Sequence, residues 1–314
     1  MNITWPRDHR FCFTVFDDTD WVSVKNVKPV YDLLYDLGMR TTKSVWVFTG
    51  HKTPIHPGMT LEDKEYLEWI RSLKQQGFEI GLHNSSAETS TREITTRALE
   101  RFISLFGDQP ICHTNHLGCL DAIYWGDARF SGQKRMIYNL LTGWRKRDIS
   151  RGHEEQHPVF WGDLCRQRVS YVRNFVFNDL NSLAVCPEMP YHDAAKPFVN
   201  FWFASSDGGN LEIFIENFTV EKIDRLVEQR GACIAYVHFA AGFVRDGQVN
   251  PKFRERLEYI ASKGGWFAPV SEVLDYLRAG GDRVSRTISQ KSLDKLETLW
   301  LIGKILSQVV LRRQ

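Results

Sequence analysis

Acidic residues crowd the end of the first apolar run in this chain. Phe11-Cys12-Phe13-Thr14-Val15-Phe16 gives way at once to Asp17, Asp18, Thr19 and Asp20. Two later apolar runs stop as abruptly, one at His83 and one at His238. Carboxylates and imidazoles move protons near neutral pH, and they are common ligands of divalent cations. Neighbouring Asp17 and Asp18 at a strand end point in different directions, so they can take different tasks. A cation with an open coordination position lowers the pKa of water and polarises a carbonyl, which an unassisted carboxylate does not do. Histidine suits the acid role because its ordinary pKa lies near neutrality. More imidazoles follow at His113 and His116, after another short apolar run. His153 and His157 have ligand spacing too, but their polar surroundings read as solvated. Taken singly, each feature has a plainer reading: Asp-Asp as a turn or cap, His83 as the start of a capped helix, His238 as a satisfied buried ring. Their common place at strand ends favours a site.

The elements that must position these residues alternate regularly. Strands are expected at 11–16, 42–49, 78–82, 111–113, 169–177, 199–204, 232–238 and 266–267, each a short apolar or β-branched run. Helical spacing marks 27–37, 61–76, 91–106, 220–229, 253–262 and 270–277, several of them stopped by glycine. Residues 117–167 are irregular and rich in Trp, Gly, Arg and His, as suits loops and short helices over a rigid scaffold. Such alternation indicates a parallel sheet with helices outside, closed as a barrel or left open, with the site at the carboxyl ends of the strands. The tail is expected to form one more helix over about 292–311, packed on the domain or on a second subunit, with an interfacial membrane helix as the lesser reading.

Composition sets the outer limits. The 314 residues carry 40 Lys and Arg against 38 Asp and Glu, a formal charge of +2 without long single-sign blocks, so nucleic acid is not an expected partner. Hydrophobic residues at 43% supply a sizeable core and exclude a disordered chain. Six scattered cysteines with no C-x-x-C pair read as reduced thiols, and the charged first ten residues lack a secretory pattern. The expected location is therefore the cytoplasm, with no transmembrane segment.

Val15-Phe16-Asp17-Asp18, Glu79-Ile80-Gly81-Leu82-His83 and Tyr236-Val237-His238, in this order, resemble the motifs of the polysaccharide deacetylase (NodB-homology) family. The resemblance implies a distorted (β/α) barrel of about seven strands over residues 9–280, with a C-terminal amphipathic helix over 286–314. It implies a divalent metal, usually Zn²⁺, and hydrolysis of an acetyl group from an amino sugar or glycan precursor. Carried over by position, Asp17 is the general base, Asp18 and His83 are metal ligands and His238 is the general acid. The family's second metal histidine would fall at Ala87, so the third ligand is left to His116, His113 or Glu88, with His116 preferred for its place before Gly118. An arginine motif expected near residues 112–118 is missing, and Asp179 is a guess for the remaining acidic motif. The implied substrate is an N-acetylated sugar, with nucleotide- and lipid-linked forms among the candidates, and the C-terminal helix makes a homodimer conceivable. Two other readings stand beside this one: an inactive deacetylase-like glycan-binding protein, and a haloacid-dehalogenase-like phosphatase suggested by Asp18-Thr19-Asp20.

Overall fold

Strand β1 (Cys12–Asp17) is buried along its whole length, and its alternation decides where the acids go. Phe11, Phe13 and Val15 pack into one apolar cluster, whereas Cys12 and Phe16 belong to a second. Because side chains alternate faces along a strand, Asp17 continues the first set and Asp18 the second.

A computed structural model describes residues 3–52, 54, 56–280 and 287–311, with side chains through residue 306. Seven parallel strands close a barrel in sequence order: β1, β2 (Thr42–Val45), β3 (Glu79–Leu82), β4 (Cys112–His113), β5 (Tyr171–Phe177), β6 (Phe201–Asp207) and β7 (Ala232–Val237). Closure comes from β7 pairing with β1, from Cys12 opposite Ala232 to Asp17 opposite Val237. The barrel is uneven, since β4 has two residues and the β5–β6 register shifts between Arg173 and Val176.

Helices α1 (Val24–Asp36), α2 (Lys64–Gln75) and α3 (Arg92–Phe106) follow the first three strands. Ser23 caps α1 reciprocally with Asn26, and Gly38 at φ +71° turns the chain after it, a conformation that suits glycine. The long crossing from β4 to β5 holds α4 (Gly132–Leu141) and α5 (Gly162–Arg168). Next come α6 (Ser182–Val185), α7 (Leu211–Asn217) and α8 (Val220–Glu228); α9 (Pro251–Ser262), α10 (Val270–Ala279) and α11 (Gln290–Leu311) follow the barrel. A small hairpin, β8 (Val244–Arg245) with β9 (Gln248–Val249), precedes α9.

The sequence reading departs from this in a few places. The second strand stops at Val45, because the amides of Val47 and Phe48 turn to the Ser85 carbonyl. Residues 266–267 supply an isolated bridge from Trp266 to Cys12 instead of a strand. Helices α4 and α5 are among the short helices expected in the irregular stretch, whereas α6 and α7 are extra, at four and seven residues too short to establish a 3.6-residue pattern. The tail helix begins at Gln290, and of the expected span 286–314 positions 286 and 312–314 lie outside the described residues. Leu293, Leu296 and Leu301 of α11 are buried in the second cluster, and Trp300 packs on Phe130, Tyr138 and Phe175. Among the described residues no helix is long and apolar enough to cross a membrane.

Candidate active site

The carboxyl ends of the strands open into a cavity of about 580 Å³ whose lining includes Asp18, Asp20, His83, His116, Arg173 and His238. Beyond β1 the Asp18 amide still bonds to the Val237 carbonyl, and the chain then folds back, with the Val22 amide on the Thr19 carbonyl and Trp21 at φ +56°. That turn sets Asp20 over the barrel mouth.

Three imidazoles surround Asp20. His83 Nε2 lies 3.2 Å from Oδ2, His116 Nε2 3.1 Å from Oδ1, and His238 Nε2 3.3 Å from Oδ2. One oxygen of Asp20 and one nitrogen each from His83 and His116 fall within 4.8 Å of one another, all on buried residues. The other ring nitrogens are engaged. His83 Nδ1 sits 2.7 Å from Thr114 Oγ1, which donates to Asp18 Oδ1 at 3.2 Å. His83 Nδ1 is therefore the donor of its pair, and its Nε2 lone pair faces the Asp20 carboxylate. Burial holds that ring below its ordinary pKa against the pull of Asp18. A neutral nitrogen aimed at a carboxylate is repulsive unless a cation lies between them, and one carboxylate with two imidazoles is a common donor set for divalent metals. The donor set fits such an ion.

His116 reaches this cluster through Asn84. That residue follows His83 in a left-handed conformation, φ +55°, which asparagine tolerates. Its Oδ1 accepts from the His116 amide at 3.0 Å, and its Nδ2 donates to Asp121 Oδ2 at 2.9 Å. The loop after β4 is thus pinned to the end of β3. His116 Nδ1 lies 3.3 Å from Cys119 Sγ, and the Trp46 ring packs against both His83 and His116.

Asp18 keeps different company. Arg173, reaching in from β5, holds it in a two-pronged ion pair at 3.0 and 2.5 Å, with both side chains buried. Burial alone would raise the Asp18 pKa, but Arg173 and the nearby histidines bring it below the usual carboxylate value. At Asp20, too, burial is overcome, here by the hydrogen bonds from His116 and His238 and by the neighbouring imidazoles, which hold the acid well below its ordinary range. His238 shows the converse. Burial opposes its charge, yet Asp20 and Asp18 prevail and raise its pKa. Its Nδ1, 2.9 Å from the Gly209 carbonyl, must be the donor there, which turns Nε2 toward Asp20.

Asp17, the expected base, does not line the cavity. It forms a fully buried ion pair with Lys43 at 2.9 Å and accepts from Tyr31 Oη and the Phe239 amide. Burial still raises its pKa despite Lys43. By strand parity it belongs to the outer face, where it ties β1, β2, α1 and the end of β7 together. Asp18, the expected metal ligand, lies at the mouth but pairs with Arg173, outside the cluster. His113 is turned to the Leu82 carbonyl and Asn115, with burial lowering its pKa to about 3. Glu88 accepts from the amides of His51 and Lys52. Asp179 caps the Asn181 amide.

Sequence reasoning did not weigh Asp20 as a candidate metal ligand and passed over Arg173 altogether. The first signal was the alternate spacing of Asp18 and Asp20. The second was a charge inside the buried run Tyr171–Phe177. Arg129 was missed as well, and so was the place of the expected tail helix in the cavity wall. Arg129 lines the cavity while nearly buried, its guanidinium 4.1 Å from the Trp125 ring centre and 4.9 Å from that of Trp300. Trp300, Gly303 and Lys304 bring α11 into the cavity wall.

No family model matches the chain, and no curated protein matches it. Solved structures do. A candidate polysaccharide deacetylase from Mycobacterium smegmatis is 15% identical with a TM-score of 0.52, covering 92% of this chain and 96% of its own. A candidate polysaccharide deacetylase from Pseudomonas aeruginosa is 13% identical with a TM-score of 0.47, covering 88% and 94%. The chain has the fold of the first, the (β/α) barrel expected from its motifs.

Proposed function

We propose that this protein is a divergent polysaccharide deacetylase: a metal-dependent hydrolase that removes an acetyl group from an amino sugar or glycan precursor. The observation that carries the reading is the buried Asp20–His83–His116 cluster, with Asp18 and His238 beside it on one cavity. Roles shift by position from those implied by the sequence motifs. Asp20, His83 and His116 would hold a divalent cation, Zn²⁺ being suited to this O/N donor set. Such an ion supplies Lewis-acid polarisation of the acyl carbonyl and a lowered pKa for the attacking water.

Asp18 is the base. Arg173 and Thr114 keep it ionised and fixed, ready to accept the proton that the water loses as its oxygen bonds to the acyl carbon. His238 is the acid. The Gly209 carbonyl holds its Nδ1, so Nε2 faces the cavity; protonated there, it gives that proton to the amine nitrogen as the carbon–nitrogen bond breaks. The products are acetate and a free amino sugar.

Arg129 points to the rest of the substrate. No carboxylate lies within 4.0 Å of it among the described residues, and its hydrogen-bond partners are the carbonyls of Gly126 and Asn174 and the Tyr138 side chain. Burial weakens its hold on its proton. A nearly buried guanidinium on a cavity wall is costly without an anion, and a phosphate on a nucleotide- or lipid-linked sugar would supply one. The six cysteines, all buried free thiols, fit action in the reducing cytoplasm.

The test is acetate release from neutral N-acetylated sugars and from nucleotide- and lipid-linked ones, with metal content measured on the same preparation. Release from at least one group, abolished by a chelator and restored by Zn²⁺, is expected. Protein that takes up no divalent metal would overturn the reading.

A further inference from the structure

Exposed apolar side chains are concentrated on one face of this protein. Of the twelve large ones among the described residues, eight lie on two short stretches. Met136, Ile137 and Leu140 project from α4, and Trp144 follows from a left-handed turn with Gly143. Leu299, Ile302, Ile305 and Leu306 project from α11. Lys134 pairs with Asp294, and Tyr138 packs on Trp300 one turn further along. The two helices therefore run side by side in the same direction. On each, the apolar stripe lies opposite the side that packs inward: Tyr138 and Asn139 on α4, Leu293, Leu296 and Trp300 on α11.

The charges around this face are mainly basic. Residues 132–147 contain Lys134, Arg135, Arg145, Lys146 and Arg147, with Asp148 next in the chain, and α11 carries Lys291, Lys295 and Lys304 against Asp294 and Glu297. Lys134, Arg135 and Arg147 have carboxylate partners; Arg145 and Lys146 have none within 4.0 Å among the described residues. A tryptophan beside cations, on paired helices with outward apolar stripes, is the composition of a segment lying in the plane of a bilayer interface. A second copy of the chain fits less well. A two-fold contact would set the same basic cluster against itself, and the cores of such interfaces are depleted in charge.

We infer that the α4–α11 face docks on an anionic membrane surface, with the apolar stripes at the headgroup boundary and the basic cluster against lipid phosphates. Since Trp300 and Lys304 of α11 also wall the cavity, docking holds the site next to the lipid. This inference stands apart from the proposed hydrolysis, because it is read by binding alone.

The experiment is flotation of the full chain with phosphatidylcholine vesicles, with and without phosphatidylglycerol at about one third of the lipid, at low and high salt. Binding should require the anionic lipid and weaken with salt. Arg145→Glu with Lys146→Glu should reduce it about tenfold or more, as should Leu140→Glu with Ile302→Glu. Both variants should melt like the parent chain, because these positions are exposed. Trp144 emission should shift to the blue on binding, identified by its loss in Trp144→Phe. Absence of binding to either vesicle, or binding that survives both double variants, would overturn the inference. So would a dimer in sedimentation equilibrium that Leu140→Glu breaks while vesicles capture nothing.

Discussion

Two buried arginines face one cavity and keep opposite company. Arg173 meets a carboxylate through both prongs of its guanidinium. Arg129 lies between tryptophan rings and bonds to backbone carbonyls. The first spends its charge on Asp18, fixing that acid's orientation and ionisation. The second has no carboxylate within 4.0 Å among the described residues, and a buried charge without a counter-charge is costly; the proposed anionic substrate would supply one.

Breaking the paired member should do the most damage. Arg173→Met leaves Asp18 buried and uncompensated, a change that costs about 3–5 kcal/mol; urea unfolding should show a loss of that size, together with loss of turnover. The less disruptive Asp18→Asn should keep the fold and lower kcat by about 10²–10⁴-fold. If Asp18→Asn releases acetate at the parent rate, Asp18 is not the base.

The unpaired member should behave in the reverse way. Arg129→Met removes a costly charge, so stability should hold or rise. The KM for a phosphate-bearing sugar should climb about tenfold or more, with the KM for a neutral sugar unchanged. An equal rise for both would remove the anion role.

Asp17 sharpens the contrast, being paired as Arg173 is but outside the cavity. Asp17→Asn should cost stability by leaving Lys43 buried without its counter-charge, and turnover per folded molecule should stay within a few-fold of the parent. Loss of turnover with full stability would instead restore Asp17 as the base.

The smallest effect should come from Glu297, the acidic counterpart of Arg129. It is fully buried in α11, faces Lys134 at 3.8 Å, and lies in the field of Lys196 and Asp193. Burial, partly offset by Lys196 and Lys134, raises its pKa to about 7. A carboxyl with a raised pKa stabilises the fold while protonated in both states. That contribution is fully present below its unfolded pKa of about 4.3, and it fades as pH rises through about 7. Glu297→Gln should therefore leave the melting temperature nearly unchanged at low pH and raise it by a few degrees above neutrality.

The barrel and its polar strand ends were legible in the sequence, because buried strands and amphipathic helices carry strong periodic signals. Reading His83, His116 and His238 as one site rested on the same signal, since parallel strands present their carboxyl ends on one face. The different placements of Asp17, Asp18 and Asp20, on which their proposed roles rest, were harder to see. They depend on strand parity at the last residue and on a turn with Trp21 at positive φ, neither of which a motif aligned by position records. Arg173 and Arg129 could not be assigned for another reason. Contacts far off in the chain place them, Asp18 for the one and Trp300, beside the nearby Trp125, for the other, and only barrel closure and the docking of α11 bring these together.

The most direct test of this account is the metal content of Asp20→Asn and Asp18→Asn, purified beside the parent protein and dialysed against Zn²⁺. The account predicts near-stoichiometric metal in the parent and in Asp18→Asn, and its loss in Asp20→Asn. Metal retained by Asp20→Asn and lost from Asp18→Asn would contradict it and return the ligand role to Asp18.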